Sequence, residues 1–532
     1  MASNAADLIL LSGKLWDGKE LRGRQAIAVG AGRILAIGTN REAQKHQSDL
    51  TKLIDVGGRT VMPGLIDSHI HAVRAGLRWN SDVRWDGLSS RTDALALVAR
   101  AADGRDPDQW IAVVGGWNPH QFTESRPLSR RDLDEAAPKH PVFIQRNYIE
   151  AMLNTPALEI LGWSGSGAPD WVESDPDTGV PTGRVSGVVA LQQLKERLTT
   201  SGFEEQVEGT RAMLRELNRF GLTGAIDAGG FGMDPEAYHP ITELYQRGEQ
   251  GFRTRLLVGA SRPGTETSQL EEWMRLVSPG SGDEYLRYLG AGEILLLDAH
   301  DMEGLKPRDI TGQVTRLAEL SRRLIEAGWP VHIHAILDDS ISSVLDAWEQ
   351  TGRLSDLAEL RYTITHADQI GHDNLMRARD SGVGVTIQNG MAFRGGDSIS
   401  TWGEDRVRRS PPLRSMLDLG IPLGAGTDGT VVCPFNPWVC IEWMVSGESA
   451  DGSPSRVEEQ RLSRDEALRL YTSGSAWFSF EEASRGNLEA GSHADIVVLS
   501  GDPLTVPVHE ISRIESVLTI VGGEEVHSAP WL

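Results

Sequence analysis

Cysteine is almost absent from this 532-residue chain. Cys433 and Cys440 are the only two, which excludes a disulfide framework and suits a reducing compartment. Positive charge is also scarce, with 52 Lys and Arg against 75 Asp and Glu and a formal net charge of -23. Such a field opposes phosphate backbones and anionic membranes, so neither nucleic acid nor a membrane is an expected partner. No apolar run approaches a membrane span. The opening Met1-Ala2-Ser3-Asn4-Ala5-Ala6-Asp7 lacks the basic start of a secretory signal, and a cytoplasmic location is the expectation. What remains is an ordinary globular composition, 39% hydrophobic and 24% charged, long enough for a large barrel with a satellite domain.

The most informative stretch is Val61-Met62-Pro63-Gly64-Leu65-Ile66-Asp67-Ser68-His69-Ile70-His71. It reads as a buried strand ending in two histidines. Strand side chains alternate faces, so His69 and His71 point the same way and can reach one cation. A lone His-x-His is more readily explained by core histidines, so the metal reading requires further ligands downstream.

Short apolar strands separated by Gly turns run from Leu8 to Gly38, and similar strands return at Ala494–Leu499 and Ile514–Gly523. Chain ends often lie together, so one small β domain built from 1–62 and 480–532 is expected. Between them, strands alternate with helical segments, as βα units do. After Leu65–His71 the strands are expected at Gly224–Ala228, Arg253–Gly259, Gly290–Asp298, Val331–Ala335, Arg361–His366, Gly384–Gln388 and Ile421–Asp428. Eight is the number a closed barrel needs. The expected fold is α/β: a (β/α)8 TIM-type barrel over 63–479 and a β-sandwich domain from both ends. Helices are expected at Phe203–Phe220 and Ile310–Ala327, the latter with a stripe at Val314, Leu317, Leu320, Leu324 and Ile325.

The link from Arg74 to Thr200 is too long for a βα connection and is read as an insertion at about 74–200. It holds Trp79, Trp85, Trp110, Trp117, Trp163 and Trp171. Packing accounts for most of these, with an aromatic substrate pocket as the alternative for some.

In barrels of this kind the active site lies at the C-terminal ends of the strands. His69 and His71 close the first expected strand, His334 lies near the end of the fifth, His366 ends the sixth and Asp428 ends the eighth. Each alone has a structural explanation. Together, four imidazoles and a carboxylate match the ligand chemistry of zinc and related cations. The run Gly424-Ala425-Gly426-Thr427-Asp428-Gly429 fits a dinucleotide-binding pattern, but it ends the last strand instead of opening a βαβ unit, so no nucleotide site is expected.

These motifs, with Gly115-Gly116-Trp117, Asn154, Thr365-His366-Ala367 and Ala494-Asp495-Ile496-Val497-Val498-Leu499, resemble the amidohydrolase superfamily, in particular amidohydrolase family 3, which includes N-substituted formamide deformylases. The resemblance implies His69, His71 and Asp428 on one metal, His334 and His366 on a second, and Asp428 as general base. Many relatives place a bridging carboxylated lysine on the fourth strand, and this chain has none there. Glu293 is the leading substitute, since a carboxylate can bridge two cations; a surface glutamate is the alternative, and Asp298, Asp301 and Glu303 compete with it. One or two divalent ions, zinc first, remain open. At Asn147-Tyr148-Ile149-Glu150 the chain lacks the Gly-His pair that relatives often carry.

The expected function is metal-dependent hydrolysis of a carbon–nitrogen bond in a small molecule: an amide, an N-substituted formamide or a cyclic amide. A metal-assisted lyase or decarboxylase is the second reading and a metal-free binding protein the third. A homo-oligomer is the default for a large soluble enzyme.

Overall fold

The computed structural model describes residues 5–530, apart from 125, 166, 199–200, 231, 250, 263, 302–309 and 451–454. Eight parallel strands carry the site: β1 (Leu65–Ile70), β2 (Leu222–Asp227), β3 (Arg253–Val258), β4 (Leu286–Ala291), β5 (His332–Ala335), β6 (Thr363–His366), β7 (Gly384–Gln388) and β8 (Leu423–Gly426). They form two four-stranded sheets in chain order, β1 to β4 and β5 to β8. The sheets meet at both edges. A parallel bridge joins Ala291 to Val331, and at the other side Asp428 N donates to His69 O (2.9 Å) while His71 N donates to Gly429 O (2.7 Å). The strands are nearly continuous buried runs, as expected when helices cover them. The helix Phe203–Arg219 buries Val207, Met213, Leu214 and Leu217, and Val314–Glu326 buries Leu317, Leu320, Leu324 and Ile325.

Two expected strands are corrected. Val61 to His71 is not one strand: Thr60–Pro63 belongs to the terminal sheet and β1 starts at Leu65. Gly64 makes the turn between them, where its N–H donates to Asp495 O (2.9 Å) and a Cβ would stand 2.2 Å from Thr223 Cγ2. The fourth strand is Leu286–Ala291, not Gly290–Asp298. Ile294 to Leu297 is buried, but outside any strand, and burial without ladder pairing gives the same apolar pattern as a core strand.

The chain ends share one eight-stranded sheet in which Thr60–Pro63 lies between Leu8–Trp16 and Ile496–Leu499. The expected sandwich is thus a single sheet with a core on each face. Alternation divides the residues, with Leu10, Ile27, Val29 and Ile496 in one cluster and Ile9, Ala26 and Ala28 in the other. The inserted segment builds its own five-stranded sheet, from Ile111–Val114 to Val172–Ser174. Its tryptophans mostly pack: Trp85 and Trp117 are buried with their rings 5.0 Å apart, and Trp163 meets Trp171 at 4.7 Å.

Candidate metal centre

The ends of β1, β5, β6 and β8 converge on Glu293. His69 points inward from β1, and His71 lies just past its end, at the N-cap of the helix Ala72–Gly76. His334 is in β5 and His366 closes β6. Asp428 follows β8. Both His366 (φ 76°) and Asp428 (φ 54°) hold the left-handed backbone conformation, a strained state for a side-chain-bearing residue that clusters at functional sites.

Glu293 follows β4 and is fastened on both sides. Its N–H donates to Ala228 O (2.9 Å), and its carbonyl accepts from His334 N (3.2 Å). The preceding Gly292 passes so close to β5 that a Cβ would stand 2.3 Å from His332 O. Glu293 is 7% exposed, which removes the surface alternative. Oε1 lies 3.4 Å from His71 Nε2, while Oε2 lies 3.5 Å from His69 Nε2, 3.4 Å from His334 Nδ1 and 3.7 Å from His366 Nε2. Asp428 Oδ1 is 3.5 Å from His69 Nε2 and 3.3 Å from His71 Nε2.

These separations are too long for good hydrogen bonds. They match donors around a shared ion: for ligands at about 2.1 Å, a tetrahedral edge is about 3.4 Å. Both ring nitrogens of His69 and Nε2 of His366 are buried without a hydrogen-bond partner, a costly state for polar atoms unless another group completes them. The residues therefore fit a divalent cation. Donor atoms of His69, His366 and Asp428, of His69, His71 and Glu293, and of Glu293, His300 and His334 each fall within 4.8 Å of one another.

The electrostatics agree. Burial opposes ionisation of Glu293 and Asp428, but the surrounding imidazoles hold both carboxyls well below the usual range. Burial lowers His69, and the Asp428 and Glu293 carboxylates reverse that and raise it. His366 is brought down to about 4 by burial and the nearby His334.

Orienting groups account for several residues that motif reasoning missed. His71 Nδ1 is 2.9 Å from Gly229 O, which leaves Nε2 facing the centre. Asp301 lies behind His334, with Oδ1 2.8 Å from Nε2, while its Oδ2 accepts from Ile336 N and Leu337 N at 2.8 and 2.9 Å. Burial would raise Asp301, yet the His334 partner and these N–H groups hold it at about 2. It orients an imidazole instead of replacing Glu293, while Asp298 is exposed and Glu303 lies outside the described residues. His300 stacks on His334 with centroids 3.7 Å apart. Asp67 accepts from Thr427 Oγ1 (2.7 Å) and His69 N (2.9 Å), tying β1 to the β8 end. Only the i, i+2 spacing to His69 hinted at Asp67.

A carboxylate-and-imidazole centre at the C-terminal ends of parallel strands is the donor set of a metal-dependent enzyme. Residues 52–527 match the amidohydrolase family, and the chain belongs to it as a metal-dependent amidohydrolase. It is 28% identical over 529 residues to the N-substituted formamide deformylase of Arthrobacter pascens, covering 94% of each chain. The fold resembles an uncharacterized metal-dependent hydrolase from Pyrococcus furiosus (TM-score 0.67, 23% identity, 94% of this chain and 100% of that one). It also resembles an adenosine deaminase from Xanthomonas campestris with bound zinc (TM-score 0.52, 15% identity, 98% and 93%). Among the described residues, no helix is long and apolar enough to cross a membrane.

Proposed function

We propose that the chain hydrolyses an amide of the N-substituted formamide or cyclic amide class with two divalent cations, zinc first. His69, His71 and Asp428 would hold one, His334 and His366 the other, with Glu293 between them. The observation that carries this reading is the division of the Glu293 carboxylate, whose Oε1 faces His71 and whose Oε2 faces His69, His334 and His366. The zinc in the Xanthomonas neighbour supports the choice of metal, and the edge contacts between the two sheets support a closed (β/α)8 barrel over 63–479 beside a separate terminal β domain.

Bound cations supply polarisation of the carbonyl and acidification of water. The protein manages the proton. Asp428, ionised and fixed at the end of β8, takes a proton as the carbon–oxygen bond forms and returns it to the nitrogen as the carbon–nitrogen bond breaks, releasing acid and amine. His71 and His334, each held through its second nitrogen, keep the donors in place. The test combines elemental analysis with a screen of N-formyl and N-acyl amines, aromatic ones included, in labelled water. Two equivalents of zinc and one labelled oxygen in the released acid are expected. Product without label would assign a lyase, and absence of stoichiometric metal would overturn the reading.

A further inference from the structure

Close to the metal centre lie two cations, Arg74 and Lys195, that have no carboxylate within ion-pair distance among the described residues. Arg74 sits three residues after His71, on the helix Ala72–Gly76. Its guanidinium and the His71 ring flank Gly230: a Cβ there would lie 3.3 Å from Arg74 Nη1 and 3.3 Å from His71 Cε1. All three guanidinium nitrogens are buried with no hydrogen-bond partner. Arginine cannot shed its charge to relieve this. Burying an unpaired charge is among the costlier things a fold can do, so an orphaned guanidinium calls for a missing partner.

The inserted segment brings a second cation to the same place. Lys195, at the end of the helix Val188–Lys195, has its Nζ 5.5 Å from the centroid of the Tyr148 ring, and the Arg74 guanidinium is 5.8 Å from the same centroid. Such distances are at the outer limit of a cation–π contact and do not replace an ion pair. Among the described residues, no carboxylate lies within ion-pair distance of Arg74 or Lys195. The neighbouring Arg78 is paired with Asp82 at 2.7 Å. In a chain with 75 acidic and 52 basic residues, two adjacent cations left unpaired stand out. Burial and the charges of Arg74 and Arg78 bring the Lys195 ammonium down to about 7 against the opposing pull of Asp82, so it is partly charged near neutrality and a carboxylate beside it would favour the charged form.

We propose that Arg74 and Lys195 receive a carboxylate on the substrate, so that the preferred amides are N-acyl or N-formyl compounds bearing an acidic group. This rests on the hydrolase reading above. Arg74 follows the metal-facing His71 by three residues and Lys195 lies near the far end of the inserted segment, so the site joins the insertion to the metal centre. A carboxylate there completes the guanidinium with charge-assisted hydrogen bonds, displacing the Tyr148 ring from its weak contact. It also explains how an acidic protein captures an anion, because recognition is local and does not depend on the overall field.

Binding separates this proposal from the hydrolase reading, because it needs no turnover. The zinc-loaded protein is titrated calorimetrically with 3-phenylpropionate and with neutral 3-phenylpropanol. The acid is expected to bind at least about tenfold more tightly. Arg74→Met and Lys195→Met should each reduce that preference by about tenfold or more, with zinc content unchanged, and Arg74→Lys should retain part of it. If Arg74→Met does not fold, Lys195→Met and Arg74→Lys still give the answer. Equal binding of acid and alcohol, or an acid preference that survives in Lys195→Met and Arg74→Met, would overturn the proposal, the latter assigning the carboxylate to the metals alone. Acid binding without hydrolysis of any amide would instead support the site and count against the proposed reaction.

Discussion

At the scale of single residues, the proposed reaction separates groups that hold a cation from groups that move protons. It gives Asp428 both roles, and substitution of that residue distinguishes them. In Asp428→Asn, His69, His71 and Glu293 still face the first cation position, so metal content measured by elemental analysis should stay near that of the parent. Turnover should fall by about 10²- to 10⁴-fold, because an amide cannot shuttle the proton. Near-normal turnover would remove Asp428 from the proton role. Asp301 makes the complementary case, since its contacts are with His334 and with the Ile336 and Leu337 N–H groups. Asp301→Asn should weaken metal affinity by about 10- to 100-fold, read by chelator competition. An unchanged affinity would mean that strand packing alone fixes the His334 ring.

His69 and His71 were legible in the sequence because their relation is local: two residues on a strand share a face whatever the rest of the chain does. Glu293 was legible in identity but not in setting. The lack of a lysine near the fourth strand pointed to it, while its true support, the hydrogen bonds to Ala228 and His334, joins segments far apart in the chain. Asp301 and His300 were not legible as partners of His334. Their placement depends on the path of the buried segment after β4, which no periodicity describes.

At the scale of elements, the decisive junction is Gly64, where the chain leaves the terminal sheet and enters β1. The apolar run on either side conceals this break, because residues in both strands are buried. Only the glycine marks it. Any side chain at position 64 meets Thr223 of β2, at 2.2 Å for Cβ to Cγ2 and 2.3 Å to Oγ1. Gly64→Ala should therefore destabilise the protein by about 1–3 kcal/mol through overpacking, seen as a lower denaturation midpoint. Because β1 carries His69, zinc affinity should fall as well. A stability loss with unchanged zinc affinity would show that the junction can shift without moving β1.

At the scale of the whole molecule, a buried charge network fastens the C-terminal segment beneath β3. Arg253 pairs with Asp495 at 2.8 Å and Arg255 with Glu481 at 2.7 Å, while Arg485 reaches Glu481 at 3.0 Å and Asp495 at 3.3 Å. Burial alone would raise both carboxyls, but these arginines hold Glu481 and Asp495 below their ordinary values. A carboxylate whose pKa is depressed by folding contributes stability that is fully present above its unfolded pKa and is lost as pH falls through its folded one. Stability from this network should therefore be flat from neutrality down to about pH 5 and decline below about pH 4, as the unfolded chain takes up protons that the folded one refuses. Glu481→Gln leaves Arg255 buried without its charge partner and should cost about 3–5 kcal/mol at pH 7, with a shallower decline in acid. Urea titrations from pH 7 to 3 on both proteins measure this directly. A variant that declines as steeply as the parent would move the acid sensitivity away from the Arg255–Glu481 pair and toward the carboxylates of the metal centre.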